Sequence, residues 1–179
     1  MIIIGVDPGT NMLGYSIVDT SENKPTIVVS GKLNLSKVEN PYSKLEKIYE
    51  KITSLVKEYS PETMSIEAPF FGKNVQSMLK LGRAQGVAIA AAFGQGVEVF
   101  EYSPRKIKQS ITGNGNASKD QVAQMIKSIL NLKTLPDSFD ETDAIAAALC
   151  HFYQNSKVST KKSYNGWKDF ISQNPTKLK

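Results

Sequence analysis

Cysteine and histidine each occur once in 179 residues, as scarce as the single tryptophan. A single thiol, Cys150, cannot form an internal disulfide and suits a reducing compartment, so a cytoplasmic protein is expected. One imidazole, His151, and one thiol are too few to build a zinc site of nitrogen and sulfur. Any metal must therefore sit on oxygen, which favours Mg²⁺ or Mn²⁺. No run of about 18 apolar residues occurs, so no membrane-spanning helix is expected. The opening Met-Ile-Ile-Ile-Gly-Val-Asp has no basic segment and an acid at its seventh position, unlike a secretory leader. Internal repeats and low-complexity segments are absent too.

What is present fits one domain. An apolar content of 40% over this length supports a full hydrophobic core. The net charge of +5 is uneven: from Ser156 onward there are six lysines and one acid, Asp169, which leaves the rest of the chain neutral. We expect a domain over 1–155 and a basic tail over 156–179, polar and partly disordered, with Tyr164, Trp167, Phe170 and Ile171 able to dock locally. A solvating end is the ordinary use of such a tail. An arm on nucleic-acid phosphates is its alternative use.

Periodicity sketches the fold. Residues 2–7, 14–20 and 26–35 read as strands joined by short polar turns, an antiparallel meander. Leu45, Ile48, Tyr49, Ile52, Leu55, Val56 and Tyr59 then mark one face of a helix over 42–59. A short strand at 63–67, a helix at 75–93 and a strand at 97–102 follow. Next come a basic helical piece at 104–111 and a Gly113–Asn116 loop. Ser118 and Gln121 form a capping box for a helix to about Leu132. A last helix covers roughly 140–154. Together these imply an α/β fold: a mixed five-stranded sheet, antiparallel first and parallel afterwards, flanked by helices.

Four acids in three places stand out against that sketch. Asp7 and Glu67 each end a segment that reads as a buried strand, and Asp140 and Asp143 are spaced to share one face of the last helix. Acids at the ends of core strands are costly unless something positive compensates them, and a divalent cation is the usual partner. Each also has a plainer reading. Asp-Pro-Gly is a common hairpin turn, Glu67 could pair with a base, and Asp140 and Asp143 could be an N-cap and a first-turn acid. Asp143 is harder to explain away. The alanines after it let the helix lie close to the sheet, bringing Asp143 toward the ends of the first and fourth strands.

Residues 103–119 hold Arg105, Lys106, Lys108 and Lys119 and no acid, as a segment gripping a phosphate backbone would. Of Phe70 and Phe71, one is expected to plug the core and the other to stack on a base or wedge one apart. Gly82, Gly86 and Ala90 form a flat stripe on the second helix. Packing on the sheet explains that stripe as well as a helix–helix dimer contact does. Cys150 and His151 read as ordinary residues of the last helix.

The motifs Gly-Val-Asp-Pro-Gly-Thr with Gly-Tyr-Ser-Ile-Val, Ser-Ile-Glu, Lys-Asn with Leu-Lys-Leu-Gly-Arg-Ala-Gln-Gly, the 104–122 segment and Asp-Glu-Thr-Asp-Ala-Ile-Ala-Ala-Ala together resemble the RuvC family of bacterial Holliday junction resolvases. The resemblance spans residues 1 to about 153, and its four motifs together are specific. It implies an RNase H-like fold, a homodimer, and Mg²⁺-dependent nicking of two opposed strands of a four-way junction. It also implies a branch-migration helicase as partner. By position it makes Asp7, Glu67, Asp140 and Asp143 catalytic metal ligands and puts Lys119 and Lys108 beside the scissile phosphate. Phe70 matches the aromatic near unpaired bases, and Lys73, Asn74, Arg83 and Arg105 fall among the DNA-binding positions. Two other readings stay open: a pre-16S ribosomal RNA processing nuclease of the same fold, and a non-catalytic junction-binding module. An actin-like ATPase shares the first motif but needs two such domains.

Overall fold

A computed structural model describes residues 1–22, 24–69 and 74–160, with side chains as far as Asn155. Phe70, Lys73 and the tail lysines from Lys161 onward lie outside the described residues. Five strands, β1 (Ile2–Asp7), β2 (Met12–Asp19), β3 (Thr26–Asn34), β4 (Thr63–Glu67) and β5 (Glu98–Tyr102), form one sheet in the order β3-β2-β1-β4-β5. β1–β2 and β2–β3 pair antiparallel, whereas β1–β4 and β4–β5 pair parallel. This is the mixed five-stranded sheet expected from periodicity, in the RNase H-like form that the resemblance implied.

The helices are α1 (Pro41–Tyr59), α2 (Val75–Phe93), α3 (Pro104–Thr112), α4 (Lys119–Ile129) and α5 (Phe139–Thr160). Local chemistry sets their ends. Asn40 caps α1 by accepting from Tyr42 N and Ser43 N, with Pro41 in the first turn, where no N–H is missed. The capping box of Ser118 and Gln121 is formed at α4. That helix stops at Ile129, short of Leu132, because Asn131 turns left-handed at φ 51°. α5 begins one residue before Asp140: Ser138 caps it, its hydroxyl accepting from Glu141 N, so Asp140 is a first-turn acid and not the cap. α5 also runs on to Thr160, into the segment read as tail.

Strand alternation divides the core into two. Ile4, Val6, Leu13, Ile17, Met64 and Ile66 point to one face and pack against Ile48, Ile52, Leu55 and Val56 of α1 and the alanines of α2. Burying each large aliphatic side chain there is worth about 1.5–3 kcal/mol. The intervening residues point to the other face, which α5 covers with help from Ile107, Ile111, Val122 and Ile126 of α3 and α4. By the same alternation Asp7 and Glu67 fall on the α5 side. That parity decides where the acids go.

Candidate active site

β1 and β4 run parallel with Val6 beside Ile66, so Asp7 and Glu67 emerge side by side at the C-terminal end of these two central strands. The start of α5 is brought over them by two glycines. Gly14 pairs with Asp7 across β1–β2, and a Cβ on it would run into the backbone carbonyl of Asp140. A Cβ on Gly5 would strike the carbonyl oxygen of Ala144. With no side chains between them, helix and sheet meet backbone to backbone. Ala144, Ala146, Ala147 and Ala148 are all fully buried and extend that close seat. Two buried hydroxyls fasten it: Ser16 Oγ donates to Ala144 O at 3.0 Å, and Ser65 Oγ to Ala147 O at 2.6 Å. A third, Ser30 Oγ, donates to Glu141 Oε1 at 2.5 Å, turning that acid toward β3.

Convergence shows in the electrostatics. Burial, then the negative charges of Glu67 and Asp143, push the Asp7 carboxyl up to about 8. Burial, then Asp143, push Glu67 up to about 7, with Lys119 and Lys108 pulling the other way. Lys119, the first residue of α4, donates from Nζ to Asp143 Oδ2 at 2.6 Å. Burial lowers the affinity of that ammonium for its proton, but the bond to Asp143 and the charges of Asp143, Asp7 and Glu67 outweigh it and raise the pKa. One lysine therefore faces several carboxylates, and the cluster stays short of positive charge. Among the described residues, no three His, Cys, Asp or Glu side chains close to metal-ligating distance. The donors that converge are all hard carboxylate oxygens, with neither imidazole nor thiolate among them.

The other predicted residues divide. Lys108 lies near enough to act on Glu67. Arg105 is exposed and runs along Gly115. Asn74 is exposed, and its side chain is engaged as the cap of α2, accepting from Ser77 N at 3.1 Å. Arg83 belongs to a separate groove between α1 and α2. His151 and Cys150 are core residues: the imidazole is fully buried between Tyr102 Oη at its Nδ1 and Asn155 Nδ2 at its Nε2, each 2.9 Å away. Burial holds its pKa below the usual histidine range. The roles of Ser16 and Ser65 were missed at the level of sequence. A serine between apolar neighbours in a strand, as in Tyr15-Ser16-Ile17 and Met64-Ser65-Ile66, was the available signal.

Strand-end acids on an RNase H-like sheet, covered by an alanine-rich helix that brings two more, define the class to which this molecule belongs. Comparison with known proteins gives the family. The model of "Crossover junction endodeoxyribonuclease RuvC" matches residues 3–151. A RuvC of Cytophaga hutchinsonii is 54% identical over 99% of this chain and 88% of its own length. One of Christiangramia forsetii is 52% identical over 99% and 93%. Among solved structures, Thermus thermophilus RuvC in complex with a Holliday junction substrate superposes with a TM-score of 0.83 at 31% identity, over 89% of this chain and 97% of that one. The chain belongs to the RuvC family of crossover junction endodeoxyribonucleases.

Proposed function

We propose that this chain resolves four-way DNA junctions in recombination and repair, nicking two opposed strands to leave 5′-phosphate and 3′-hydroxyl ends. The observation that carries the reading is the set of acids from β1, β4 and α5 gathered at one end of the sheet with too little positive charge, two of them held near or above neutrality. Asp7, Glu67, Asp140 and Asp143 would hold two Mg²⁺ ions, or Mn²⁺ in their place, their four negative charges matching the ions' four positive ones. Such ions, when bound, supply a water of lowered pKa and stabilise the leaving oxygen. Lys119 reaches the same place from the tip of α4, where its ammonium meets charge that builds on the phosphate in the transition state. Lys108 and Arg105 hold the backbone beside it. The family membership disfavours a ribosomal RNA processing role, and a purely binding module would have no need of uncompensated buried acids.

The test is single-turnover cleavage of a four-way junction beside junction affinity, at one salt concentration. Asp7→Asn, Glu67→Gln, Asp140→Asn and Asp143→Asn should each lower cleavage by about a thousandfold or more, a loss of ~4 kcal/mol of transition-state stabilisation, and keep affinity. Lys119→Ala should follow the same pattern more mildly. Two of the acid variants cutting at near-normal rate would remove the four-acid site.

Two nicks on symmetric strands call for two copies of the site, and a two-fold homodimer supplies them. The face of α2 fits that use. Val75, Leu79, Gly82, Gly86 and Phe93 recur at three- to seven-residue spacings on its exposed side, Leu79 and Phe93 being 56% and 59% accessible. Open space in front of Gly82 and Gly86 leaves the stripe free of the sheet and available to a second helix. Light scattering should give a dimer at tens of micromolar, and Leu79→Glu should shift it to monomer. A wild-type monomer, free and on junction DNA alike, would refute the dimer.

A further inference from the structure

The acids have a basic bank on one side, formed by Lys108 and Lys119 of α3 and α4. The opposite side carries another cluster of cations. A groove of about 520 Å³ lies between the start of α1 and α2, and its lining includes Thr10, Asn11, Lys44, Lys80 and Arg83. Thr10 and Asn11 belong to the turn that leaves Asp7, so this groove, on the α1/α2 face, reaches the end of the sheet from which the acids emerge. Lys44 Nζ is held there, donating to Asn11 Oδ1 at 2.8 Å. Glu39 is the one carboxylate among the groove's lining residues, against three cations. Among the described residues none of the three is in an ion pair.

We propose that this groove is a phosphate seat for the substrate's backbone, taking the strand as it leaves the acids on the side away from α3 and α4. The inference rests on the nuclease reading and adds to it a second bank. The physical ground is the mismatch between charge and compensation. Cations that outnumber the carboxylates around a cavity repel one another, and a polyanion crossing the cavity relieves that repulsion while releasing its own counterions. A strand held only on the α3/α4 side of Asp7 is free to swing about that contact, and positive charge on the other flank fixes its course. The Lys44–Asn11 bond links the groove to the β1–β2 turn, which ties the seating of a flanking phosphate to the place where the scissile one must lie.

The experiment is junction affinity over a salt series for the wild type, Lys44→Ala/Lys80→Ala, Lys80→Ala alone, and Lys57→Ala, which lies on α1 outside the groove. Each lysine that meets a phosphate should take about one from the slope of log affinity against log salt. The double variant should therefore lose about two and bind about tenfold more weakly at fixed salt. Lys80→Ala, which leaves the bond to Asn11 untouched, should lose about one, and Lys57→Ala nothing. Neutral methylphosphonates placed singly along the cut strand should weaken wild-type binding at positions on one flank of the cleavage site, and those positions should fall silent in the double variant. A double variant with the slope of Lys57→Ala overturns the groove while leaving the nuclease reading intact. A wild type that neither binds nor cuts junctions overturns the nuclease reading, and the groove with it.

Discussion

The two faces of the sheet are packed by different physics. On the α1/α2 face, Ile48, Ile52, Leu55 and Val56 interlock with Ile4, Val6, Leu13 and Ile17, all apolar and all buried. On the α5 face the parts in contact are glycines, alanines and serine hydroxyls, and backbone carbonyls lie directly over the sheet. Large aliphatic contacts supply most of the free energy but are forgiving of small shifts, since each is a sum of many weak attractions. Backbone-to-backbone contacts with directional hydrogen bonds supply less and tolerate almost no displacement. The face that carries the acids is the unforgiving one. Stability and placement are thus assigned to opposite sides of one sheet.

The largest effect that would break this comparison comes from exchanging the two failures. Gly14→Ala puts a methyl where the Asp140 backbone sits, so the start of α5 must lift and carry Asp140 away from Asp7. We expect cleavage to fall by at least a hundredfold with a stability loss of about 1–3 kcal/mol, as for overpacking generally. Ile52→Ala on the other face should cost about 2–5 kcal/mol and leave the cleavage rate of the folded protein within about threefold. Chemical denaturation and single-turnover cleavage on both variants decide it. If Ile52→Ala lost activity as steeply as Gly14→Ala, the division of labour would be wrong.

A medium effect sharpens it through pH. Asp7 and Glu67 rise from ordinary values of 3.8 and 4.5 to about 8 and about 7 in the folded chain. Between those limits the folded state holds protons that the unfolded state has released, so their contribution to stability falls as pH rises. His151, held below 6.5, has the opposite sign, but its effect is complete once pH exceeds that value. Between pH 6.5 and 9 in chelator, stability should therefore drop by about 2–3 kcal/mol, at up to ~1.4 kcal/mol per pH unit for each proton. Asp7→Asn should flatten most of the decline, and added Mg²⁺ should oppose it. A flat wild-type melting profile in chelator would mean the acids are better compensated than their surroundings indicate.

Much of this was legible in the sequence, for identifiable reasons. Alternation and 3.6-residue periodicity located the strands and helices; Asp7 and Glu67 could be placed because each follows a buried run ended by a proline or glycine turn, and Asp140 and Asp143 because they share one helix face ahead of an alanine run. The orientation of the Gly82–Gly86–Ala90 stripe could not be read, because small residues suit a close sheet contact and an open face equally well. Nor could the close approach at Gly5 and Gly14. Glycine in a strand signals room for something, but what fills the room, Ala144 against Gly5 and Asp140 against Gly14, comes from the far end of the chain. The groove beside Asn11 was invisible for the same reason: Arg83 was marked by the family resemblance, but Lys44 and Lys80 are ordinary surface cations until α1 and α2 are laid side by side.

The smallest effect tests the hydroxyl fastening itself. Ser16→Ala and Ser65→Ala each remove one buried donor and leave a carbonyl of α5 without it. The usual cost of an orphaned buried acceptor is about 1–3 kcal/mol. Here it should lie near the lower end, since a mid-helix carbonyl has a second lone pair for its own helix's N–H. The two sites differ in where the slack appears. Ala144, which Ser16 holds, directly follows Asp143, whereas Ala147, which Ser65 holds, is three residues further from the acids. Ser16→Ala should therefore lower cleavage several-fold at saturating junction, and raise the Mg²⁺ concentration needed for half-maximal rate. Ser65→Ala should cost similar stability with a smaller change in either. Denaturation midpoints measured beside Mg²⁺ titrations separate the two. Equal kinetic losses from both variants would mean that α5 moves as a rigid rod and that neither hydroxyl sets the position of Asp143 on its own.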